Sequence, residues 1–555
     1  MMETLIEMIH EASLLKEKGI TFINAADKEK FVSYNMVYEK ALKLLYHFQE
    51  RGLNPGDEVI FQIEDNEIFV YTFWACILGG LIPVPVSVGN NTEHKLKLFR
   101  IWDILNNPYL ITSSKNLSNL EKFSVEASYE AEMLVISSRT ICIEDTANSH
   151  SFGNIHNPSS KDIAFVQFSS GTTGDPKGVI LTHKNVLTNL KALINAWGIT
   201  EKDSSLSWMP LTHDMGLIAI HLTSMLAKNN QYIIPTFLFI RRPTLWMLKA
   251  NEHRVTQLYS PNFGYKFFLD YYDPKASENW DLSCIRLIAN GAEPISTTLC
   301  YQFLEELSKY GLRFETMNTV YGLAEATVGV SIPEVNQPFV PVVVERSSIG
   351  VGQKVIEVNG GSNSVTFVEV GRPIEDCEVR ICNEDDKILP EGTVGYIHIN
   401  GKNVTSGFYN NPSATKKAIK KGGWLNTGDL GFMRNGRLVI TGRAKDIIII
   451  NGQNYYAHDI ERVVENIHSI GLGNVAVCGV FDEKKGQEDI IVFIRIKKSS
   501  VVFSDVDLAV RKEINRQLGL EVLHVIPVRK MLKTTSGKIQ RFKMRELYLE
   551  SLQPN

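Results

Sequence analysis

The sequence predicts an α/β protein with a large N-terminal body and a small α+β domain towards its C-terminal end. Three observations support this prediction. Strand and helix patterns alternate up to about residue 330, short Gly-punctuated strands fill residues 390–441, and a further set of strands with a helix follows residue 446. The alternation is typical of largely parallel sheets covered by helices, and the short strands are typical of antiparallel hairpins.

Length and charge balance place the chain among globular proteins. It has 555 residues, of which 44% are hydrophobic and 22% charged, which is enough to bury several packed cores. Fifty-eight basic and 62 acidic residues give a net charge of −4. This balance supplies no bulk positive field for nucleic acid or an anionic membrane, so neither is expected as a partner.

The cysteines and the apolar segments indicate a cytoplasmic protein. Seven scattered cysteines without a CxxC pair are typical of reduced thiols. Acids and lysines interrupt the apolar positions of the N-terminal segment, so it does not resemble a signal peptide. The most apolar stretch, residues 71–88, contains two glycines and two prolines and is predicted to be a buried helix followed by a core strand. We therefore expect no stable insertion into a membrane.

The order of elements suggests where the units divide. Residues 31–65 have a helical spacing of apolar residues and then a turn and a β-rich run. A boundary is predicted at residues 442–446, between the hairpins and the last strands. Residues 1–441 are then expected to form the N-terminal domain and residues 447–555 the C-terminal domain.

A loop rich in Ser, Thr and Gly spans residues 168–178 (FSSGTTGDPKG), between a strand-like and a helix-like segment. Small residues in such a loop let backbone N–H groups and hydroxyls close around phosphate oxygens, and Lys177 adds a positive charge. The loop is not a Walker loop, because Pro176 occupies the second Gly position and the GK[ST] ending is absent. It predicts a phosphate-binding loop of another kind.

This loop and six further motifs resemble those of the adenylate-forming superfamily, which includes acyl-CoA synthetases, luciferases, peptide-synthetase adenylation domains and fatty acyl-AMP ligases. In family order, the motifs are LTHDMG at 211–216, NGAEP at 290–294, YGLAEAT at 321–327, TGD at 427–429, GRAK at 442–445 and TSGK at 535–538. The resemblance covers nearly the whole chain. It implies ATP-dependent activation of a carboxylic acid, on a large domain of two α/β subdomains and a small β-barrel-like subdomain, with a small mobile C-terminal lid.

The resemblance implies catalytic roles for three residues, and ATP and Mg²⁺ as cofactors. Lys538 would reach from the C-terminal domain to the acyl carboxylate and the α-phosphate, where positive charge stabilises the meeting of two anions. Glu325 would ligate Mg²⁺, because a hard cation that bridges phosphate oxygens prefers carboxylate oxygen. His213 matches a position beside the carboxylate pocket, where it would gate or orient the acid.

The same resemblance implies the residues that bind the nucleotide. Asp429 can accept hydrogen bonds from both ribose hydroxyls, Arg443 can donate to the same sugar, and the ring of Tyr321 can stack on adenine. Lys445 matches the family's hinge, about which the C-terminal domain rotates between half-reactions. The other expected nucleotide-binding residues are Ser169, Ser170, Gly171, Thr172, Thr173, Gly174, Lys177, Asn290, Gly291, Ala292, Glu293 and Gly322.

An insertion-like segment, residues 328–370, distinguishes this chain from acyl-CoA synthetases, which usually carry a shorter connection there. It resembles the insertion of fatty acyl-AMP ligases, which packs on the large domain and disfavours the conformation that uses CoA. An ordinary expansion of a surface loop is the alternative. The residues of the motifs also favour a fatty acyl-AMP ligase. However, the Ser/Thr/Gly-rich loop has the sequence SSGTT, where such ligases often have TSGST. An acyl-CoA synthetase therefore remains the alternative function.

Other functional classes fit the sequence less well. Asp214 stands in HDMG rather than in the aromatic-Asp signature of amino-acid-activating domains, which disfavours an amino-acid adenylation enzyme. An aryl-acid adenylation enzyme is a further, less favoured alternative. An inactive nucleotide-binding scaffold is disfavoured because the charged motif residues are all present. No GGDSL-like carrier segment follows Lys538. The resemblance then implies that the acceptor is the phosphopantetheine thiol of a separate acyl carrier protein in a polyketide or nonribosomal peptide pathway, with CoA as the alternative.

Overall fold

The computed structural model describes residues 2–89, 92–146, 151–170, 176–361, 363–450, 453–467, 470–471, 473–482, 487–496, 503–534 and 538–552. The α-helices of these ranges are α1 Leu5–Ser13, α2 Tyr34–Glu50, α3 Asn66–Gly79, α4 Thr92–Ile104, α5 Ser114–Ala127, α6 Glu130–Ser138, α7 His183–Trp197, α8 Thr223–Leu226, α9 Thr236–Arg241, α10 Leu245–Glu252, α11 Asn262–Tyr271, α12 Thr297–Ser308, α13 Pro412–Ala418, α14 Ala457–Glu465, α15 Phe503–Leu518 and α16 Arg541–Ser551. A π-helix, Met215–Leu222, leads directly into α8.

The strands of the same ranges are β1 Gly19–Ala25, β2 Lys28–Ser33, β3 Glu58–Gln62, β4 Ile82–Pro85, β5 Tyr109–Thr112, β6 Thr140–Cys142, β7 Ile163–Ser170, β8 Pro176–Thr182, β9 Ser204–Ser207, β10 Asn230–Ile233, β11 Gln257–Ser260, β12 Leu287–Asn290, β13 Met317–Thr319, β14 Tyr321–Gly322, β15 Gly329–Ile332, β16 Pro341–Glu345, β17 Ser364–Val368, β18 Arg372–Pro373, β19 Cys377–Cys382, β20 Gly395–Gly401, β21 Leu425–Arg434, β22 Arg437–Arg443, β23 Ile447–Ile450, β24 Gln453–Tyr456, β25 Val475–Asp482, β26 Gln487–Arg495 and β27 Val522–Val528.

Two parallel sheets form the centre of the body, which we define as residues 2–441. The larger has the order β13-β12-β11-β9-β10-β1-β2, and its pairs are parallel except for β1 with β2. The smaller, β4-β3-β5-β6, is parallel throughout. Apolar side chains of the strands and of the covering helices are buried around both sheets. The predicted α/β class with parallel sheets is confirmed.

Helix α3 shows why the most apolar stretch is an internal helix. The Asp65 side chain caps it by accepting a hydrogen bond from Ile68 N at 3.0 Å. Gly80 ends it in the left-handed conformation at φ +66°, which suits a residue without Cβ. Ten of its residues are buried, so a helix with apolar side chains on every side is stable here. The strand β4 follows at once, as the sequence predicts.

The Ser/Thr/Gly loop joins two antiparallel strands. Ser169 in β7 pairs with Lys177 in β8. The sequence pattern suggested that a helix follows the loop directly, but β8 intervenes and α7 begins only at His183. Thr182 and Asn185 form a capping box at this point, so the helix cannot start earlier without losing both hydrogen bonds.

Antiparallel strands make up the last part of the body. β19 to β22 form a four-stranded sheet in sequence order, which confirms the predicted hairpins. The insertion-like segment contributes the hairpin β16–β17, whose inner side chains pack against this sheet. The same apolar cluster includes Tyr456 on β24, beyond the predicted boundary.

Residues 447–552, which we call the lid, have an α+β arrangement. A three-stranded sheet, β25-β26-β27, packs against α14 and α15 on one apolar cluster and against α16 on another. All seven cysteines of the chain are free thiols. Among the described residues, no helix combines the length and the apolar character needed to cross a membrane.

A buried histidine generates a prediction about stability. Trp74 Nε1 donates to His221 Nε2 at 3.0 Å, and His221 Nδ1 lies 2.9 Å from Gln231 Oε1. Burial lowers the pKa of His221 to about 4, so below pH 6.5 the unfolded state binds the proton more readily. The neutral form of His221 therefore stabilises the fold above pH 6.5. The free energy of unfolding should fall by about 2 kcal/mol by about pH 5. His221→Gln should show a smaller fall in thermal midpoint between about pH 7 and about pH 5 than the wild type.

The control for this measurement is His10→Gln, because His10 is exposed at the surface. That variant should keep the pH dependence of the wild type. An unchanged pH dependence in His221→Gln would contradict the proposed cause.

Candidate functional site

A cleft of about 1350 Å³ lies between the body and the lid. This is larger than the roughly 300–1,000 Å³ of a pocket for one small ligand. The loops that follow β11, β12 and β13 line it, because the carboxyl ends of parallel strands meet at one edge of the sheet. The antiparallel sheet and the lid supply the opposite walls. The cleft can thus hold a nucleotide beside a second ligand.

Asp429 lies at the centre of a fixed hydrogen-bond group in the cleft. Tyr321 donates its hydroxyl to Asp429 Oδ2 at 2.7 Å, and Arg443 Nε lies 3.1 Å from Asp429 Oδ1. Asp429 and Arg443 face each other directly on β21 and β22. The Asp429 side chain is almost fully buried, whereas Arg443 is half exposed to the cleft. The strand pairing thus fixes all three groups without a ligand.

Glu325 lies on a single helical turn, Ala324–Ala326, and lines the cleft. Burial raises the pKa of its carboxyl group, and the nearby charges of Asp214 and Asp429 raise it further. Thr327 follows at φ +72°, a strained conformation for a β-branched residue. Thr327 is held there because its buried hydroxyl donates to Asn403 O at 2.7 Å. The turn that presents Glu325 is therefore rigid.

The NGAEP segment divides between the cleft and the core. Gly291, Ala292 and Glu293 line the cleft, and Ala292 adopts φ +68°. Glu293 Oε1 accepts a hydrogen bond from Phe263 N at 2.8 Å, while burial raises the pKa of its carboxyl group. Asn290 differs from the expectation, because its fully buried side chain donates to Asn262 Oδ1 and Cys300 Sγ in the core. Asn290 therefore supports the loop that carries Glu293 from the core side and does not face the cleft.

His213 and Asp214 form a pair at the start of the π-helix. His213 Nδ1 lies 2.7 Å from Asp214 Oδ1, which also accepts from Met215 N at 2.7 Å. Burial would raise the pKa of Asp214, but the charges of His213 and Lys538 outweigh it and hold the pKa below its usual value. Asp214 was not among the sequence-predicted site residues.

The lid carries Lys538 into the cleft. Its side chain keeps contact with solvent, yet the surrounding walls exclude enough water to lower its pKa. The charge of Arg443 lowers this pKa further, and Asp214, Glu293 and Asp429 oppose the shift. Lys445 also lines the cleft, on the turn Ala444–Asp446. Burial and the charge of Lys177 lower the pKa of Lys445.

Sequence reasoning missed two arginines that order the lid. Arg541 donates to both carboxylate oxygens of Glu461 within the lid and, at 3.0 Å, to Asp446 Oδ2 at the predicted hinge. Arg462 holds the lid against the body by donating to Ile295 O at 3.0 Å, directly after the NGAEP segment. No spacing in a single sequence marks these two residues, because their partners lie far away along the chain.

The phosphate loop is described at its two ends. Ser169 and Lys177 line the cleft on paired strands, and Lys177 Nζ lies 5.3 Å from the centre of the Phe408 ring. The backbone of Ser170 pairs with Pro176. The predicted residues Gly171, Thr172, Thr173 and Gly174 lie outside the described residues, as do Thr535 to Gly537 of the TSGK motif.

Comparison with known families identifies two matches along the chain. Residues 12–409 match the family described as AMP-binding enzyme. Residues 445–553 match the family described as Disco-interacting protein 2-like, AMP domain.

Individual relatives are similar over nearly the full length. The medium-chain fatty acid–acyl-carrier-protein ligase JamA of Moorena producens is 29% identical, over 99% of this chain and 95% of that protein. A putative acyl-CoA synthetase of Caulobacter vibrioides is 28% identical, over 93% and 90%. A solved structure from the fatty acyl-adenylate ligases of E. coli and L. pneumophila is 27% identical, with a TM-score of 0.86 over 99% of this chain and 98% of that one.

The hydrogen bonds of Asp429 generate a prediction about nucleotide affinity. Asp429→Ala removes a buried acceptor and leaves the Tyr321 hydroxyl and Arg443 unpaired, so ATP should bind roughly ten- to a hundredfold more weakly. Tyr321→Phe removes only the hydroxyl that positions Asp429 and keeps the ring, so its loss should be smaller. Calorimetric titration with a non-hydrolysable ATP analogue measures both.

Asp385→Ala is the control for this series. Asp385 is an exposed residue between β19 and β20 and should leave the affinity unchanged. An affinity of Asp429→Ala equal to that of the wild type would contradict a nucleotide role for this group.

Proposed function

This chain belongs to the AMP-binding enzyme family, and on that premise we propose that it activates a fatty acid as acyl-AMP and transfers the acyl group to an acyl carrier protein. One observation carries the proposal: a lysine of the lid, Lys538, lies in the cleft among the charges of Asp214, Glu293 and Asp429 of the body. Attack of a carboxylate on the α-phosphorus brings two anions together and requires a cation at that point.

The first half-reaction exchanges one phosphorus–oxygen bond for another. A carboxylate oxygen of the acid bonds to the α-phosphorus, and the bond to the β-phosphate bridging oxygen breaks with its electron pair on pyrophosphate. Lys538 donates hydrogen bonds to the carboxylate and the α-phosphate as negative charge concentrates between them. The surroundings lower the pKa of Lys538, and anionic ligands oppose this shift because they stabilise its charged form.

Glu325 fits a magnesium ion bound with the phosphates. Burial and two neighbouring carboxylates raise its pKa, and a divalent cation would reverse both effects by favouring the ionised carboxylate. Its hard oxygen donors are those that Mg²⁺ prefers. When bound, Mg²⁺ supplies positive charge to the phosphate oxygens. The protein's contribution is the rigid turn that presents Glu325 to them.

The nucleotide is held by groups that are already oriented. Asp429 accepts from the ribose hydroxyls, Arg443 donates to the same sugar, and the Tyr321 ring stacks on adenine. Gly291 and Ala292 present their backbone to the cleft, and Gly291 packs tightly on Val320, since a Cβ there would lie 2.8 Å from Val320 Cγ2. Pre-orientation reduces the entropy lost when ATP binds.

The apolar part of the cleft suits an alkyl chain. Its lining includes Leu193, Trp197, Ala219 and Tyr259, which lie on the side of the larger sheet. Burying methylene groups there contributes about 0.8 kcal/mol each. His213, at the start of the π-helix, stands where it can orient the carboxylate. The similarity to a medium-chain acyl-carrier-protein ligase over 99% of the chain supports a fatty acid as substrate.

The second half-reaction needs the lid to move. The phosphopantetheine thiol, as its thiolate, attacks the acyl carbonyl carbon, and the acyl–phosphate bond breaks with its electron pair on AMP. Rotation about Lys445 would carry Lys538 out and admit the thiol. Partner and compartment follow from the same proposal: a separate acyl carrier protein, in a cytoplasm that keeps the seven cysteines reduced.

ATP–pyrophosphate exchange tests the proposal. The wild type should exchange labelled pyrophosphate into ATP with one or more members of a panel of fatty, hydroxy, aryl and amino acids, and fatty acids should be the best. Lys538→Ala should lower this rate by roughly 10²–10³, because it removes the cation at the reacting centre while the nucleotide contacts stay. Its affinity for an ATP analogue should change little.

Lys512→Ala serves as control, since Lys512 is an exposed lysine of α15 outside the cleft. Full exchange activity in Lys538→Ala would refute the catalytic role. Absence of exchange by the wild type with every acid would refute fatty acid activation.

The acyl-CoA synthetase remains the alternative, and contacts of the insertion-like segment oppose it. Arg346, on the turn between β16 and β17, forms a buried ion pair with Asp459 of the lid at 3.3 Å. Phe367 of β17 meets Tyr456 edge to face at 6.3 Å. These contacts stabilise the present lid position and would have to break before the lid rotates. Because the lid must rotate for either acceptor, these contacts favour an acceptor that can replace them. A carrier protein can dock on the exposed surfaces, whereas free CoA brings no protein surface, so the contacts favour acyl transfer to a dedicated carrier.

Breaking the buried ion pair should raise activity with CoA. Arg346→Met removes the contact while keeping an apolar stem over Tyr455, so the lid should rotate more readily and acyl-CoA formation should increase several-fold. The rate of acyl-CoA formation from fatty acid, ATP and CoA measures this. Arg372→Met is the matched control, because the Arg372 ion pair with Glu334 is exposed. Efficient acyl-CoA formation by the wild type would favour the alternative function.

A further inference from the structure

Lys97 is a cation of the cleft that the motifs do not include. It lies on α4, is half-buried, and lines the cleft together with Ser87, Gln167 and Ser169. Within the described ranges its ammonium has neither a hydrogen bond nor an ion pair. Burying an ammonium without a partner is unfavourable unless an anion joins it. Its surroundings therefore favour an anionic ligand.

The position of Lys97 is fixed by the packing of its helix. The neighbouring residues Leu98 and Phe99 are buried in one apolar cluster with Val86, which directly follows β4, and with Phe168 of β7. This packing holds α4 against the strand that enters the phosphate loop. Lys97 thus keeps its place on the wall of the cleft without any hydrogen bond of its own.

Other cations surround the same flank of the cleft. Lys177 lines it from β8, and Lys533 and Lys543 line it from the lid. Lys543 is paired with Glu93 at the start of α4, and His94 hydrogen bonds to the backbone of Lys533. This flank lies apart from the reacting centre, because the charges that act most on Lys538 are Arg443, Asp214, Glu293 and Asp429.

We propose that Lys97 binds the terminal phosphates of ATP and then the leaving pyrophosphate, at the outer end of the phosphate loop; this inference rests on the proposed adenylation. Breaking the α-phosphorus–oxygen bond puts an additional negative charge on pyrophosphate, next to Ser169 and Lys177. A cation already in place gains interaction energy as that charge develops. Desolvation lowers the pKa of Lys97 to about 8, and a bound anion would oppose this shift by stabilising the charged form.

Kinetic constants of exchange test the assignment. Lys97→Met keeps the length of the side chain and removes its charge, and should raise the KM for pyrophosphate and for ATP by roughly ten- to a hundredfold. The affinity for AMP should stay unchanged, because AMP lacks the terminal phosphates. Lys97→Arg should stay within a few-fold of the wild type.

Lys95→Met is the matched control on the same helix. Lys95 Nζ lies 5.1 Å from the Phe123 ring centre, and Lys95 does not line the cleft, so its variant should behave as the wild type. Values of KM for Lys97→Met within twofold of the wild type would overturn the assignment. So would a defect confined to acyl transfer, which would mean that Lys97 contacts a phosphate of phosphopantetheine or CoA instead.

A binding measurement separates this inference from the proposed function. Calorimetry with magnesium pyrophosphate reports the affinity of wild type and variants even if no acid supports exchange. In the wild type, pyrophosphate should also protect Lys97 from acetylation by acetic anhydride, read by mass spectrometry, and this does not depend on a variant that folds. Equal acetylation with and without pyrophosphate would overturn the assignment, whereas protection without exchange would overturn only the proposed function.

Discussion

The cleft depends on one electrostatic constraint: carboxylates that repel one another are held together by cations from two parts of the chain. Burial raises the pKa of Glu325, and the neighbouring charges of Asp214 and Asp429 raise it further. Arg443 comes from the strand opposite Asp429, whereas Lys538 comes from the lid. A site of this kind is stable only while the lid is docked or a cationic ligand is bound. The position of the lid and the charge of the cleft are therefore coupled.

The lid is held by contacts placed around the cleft. Arg541 links the segment after Lys538 to Asp446 at the predicted hinge, and Arg462 links the lid to the loop that carries Glu293. Arg346 adds a third link, from the insertion-like segment. Because these contacts are polar, the same groups can bind water or other polar partners once the lid has moved. Such an interface suits a lid that docks for one reaction step and leaves for the next.

Patterns of residues were sufficient to predict most of the fold. The alternation of strands and helices predicted the parallel sheets, and the Gly and Pro interruptions in residues 71–88 predicted a helix and strand that the structure contains as α3 and β4. The strand β8 was missed, because its pairing with β7 is a contact that no local propensity records. The motif residues were found because each motif is a short continuous segment whose residue types can be recognised in the sequence.

The sequence predicted only those residues of the candidate site that stand within a recognisable motif. The structure brings Tyr321, Glu325, Asp429, Arg443 and Lys538 to one cleft, in the same motifs that suggested them. Asn290 shares a motif with Glu293, but Asn290 is the last residue of β12 and its side chain is buried in the core, whereas Glu293 lies in the following loop, which lines the cleft. Arg541 and Lys97 became visible only through their neighbours in space.

The most direct test of adenylation follows the oxygen atoms of the acid. A fatty acid with both carboxylate oxygens labelled as ¹⁸O is incubated with ATP, Mg²⁺, the enzyme and the phosphopantetheinylated carrier, and the nucleotide product is analysed by mass spectrometry. Attack on the α-phosphorus predicts AMP that carries one ¹⁸O atom, together with pyrophosphate. Unlabelled AMP, or ADP with phosphate in place of AMP, would contradict activation through an acyl-adenylate.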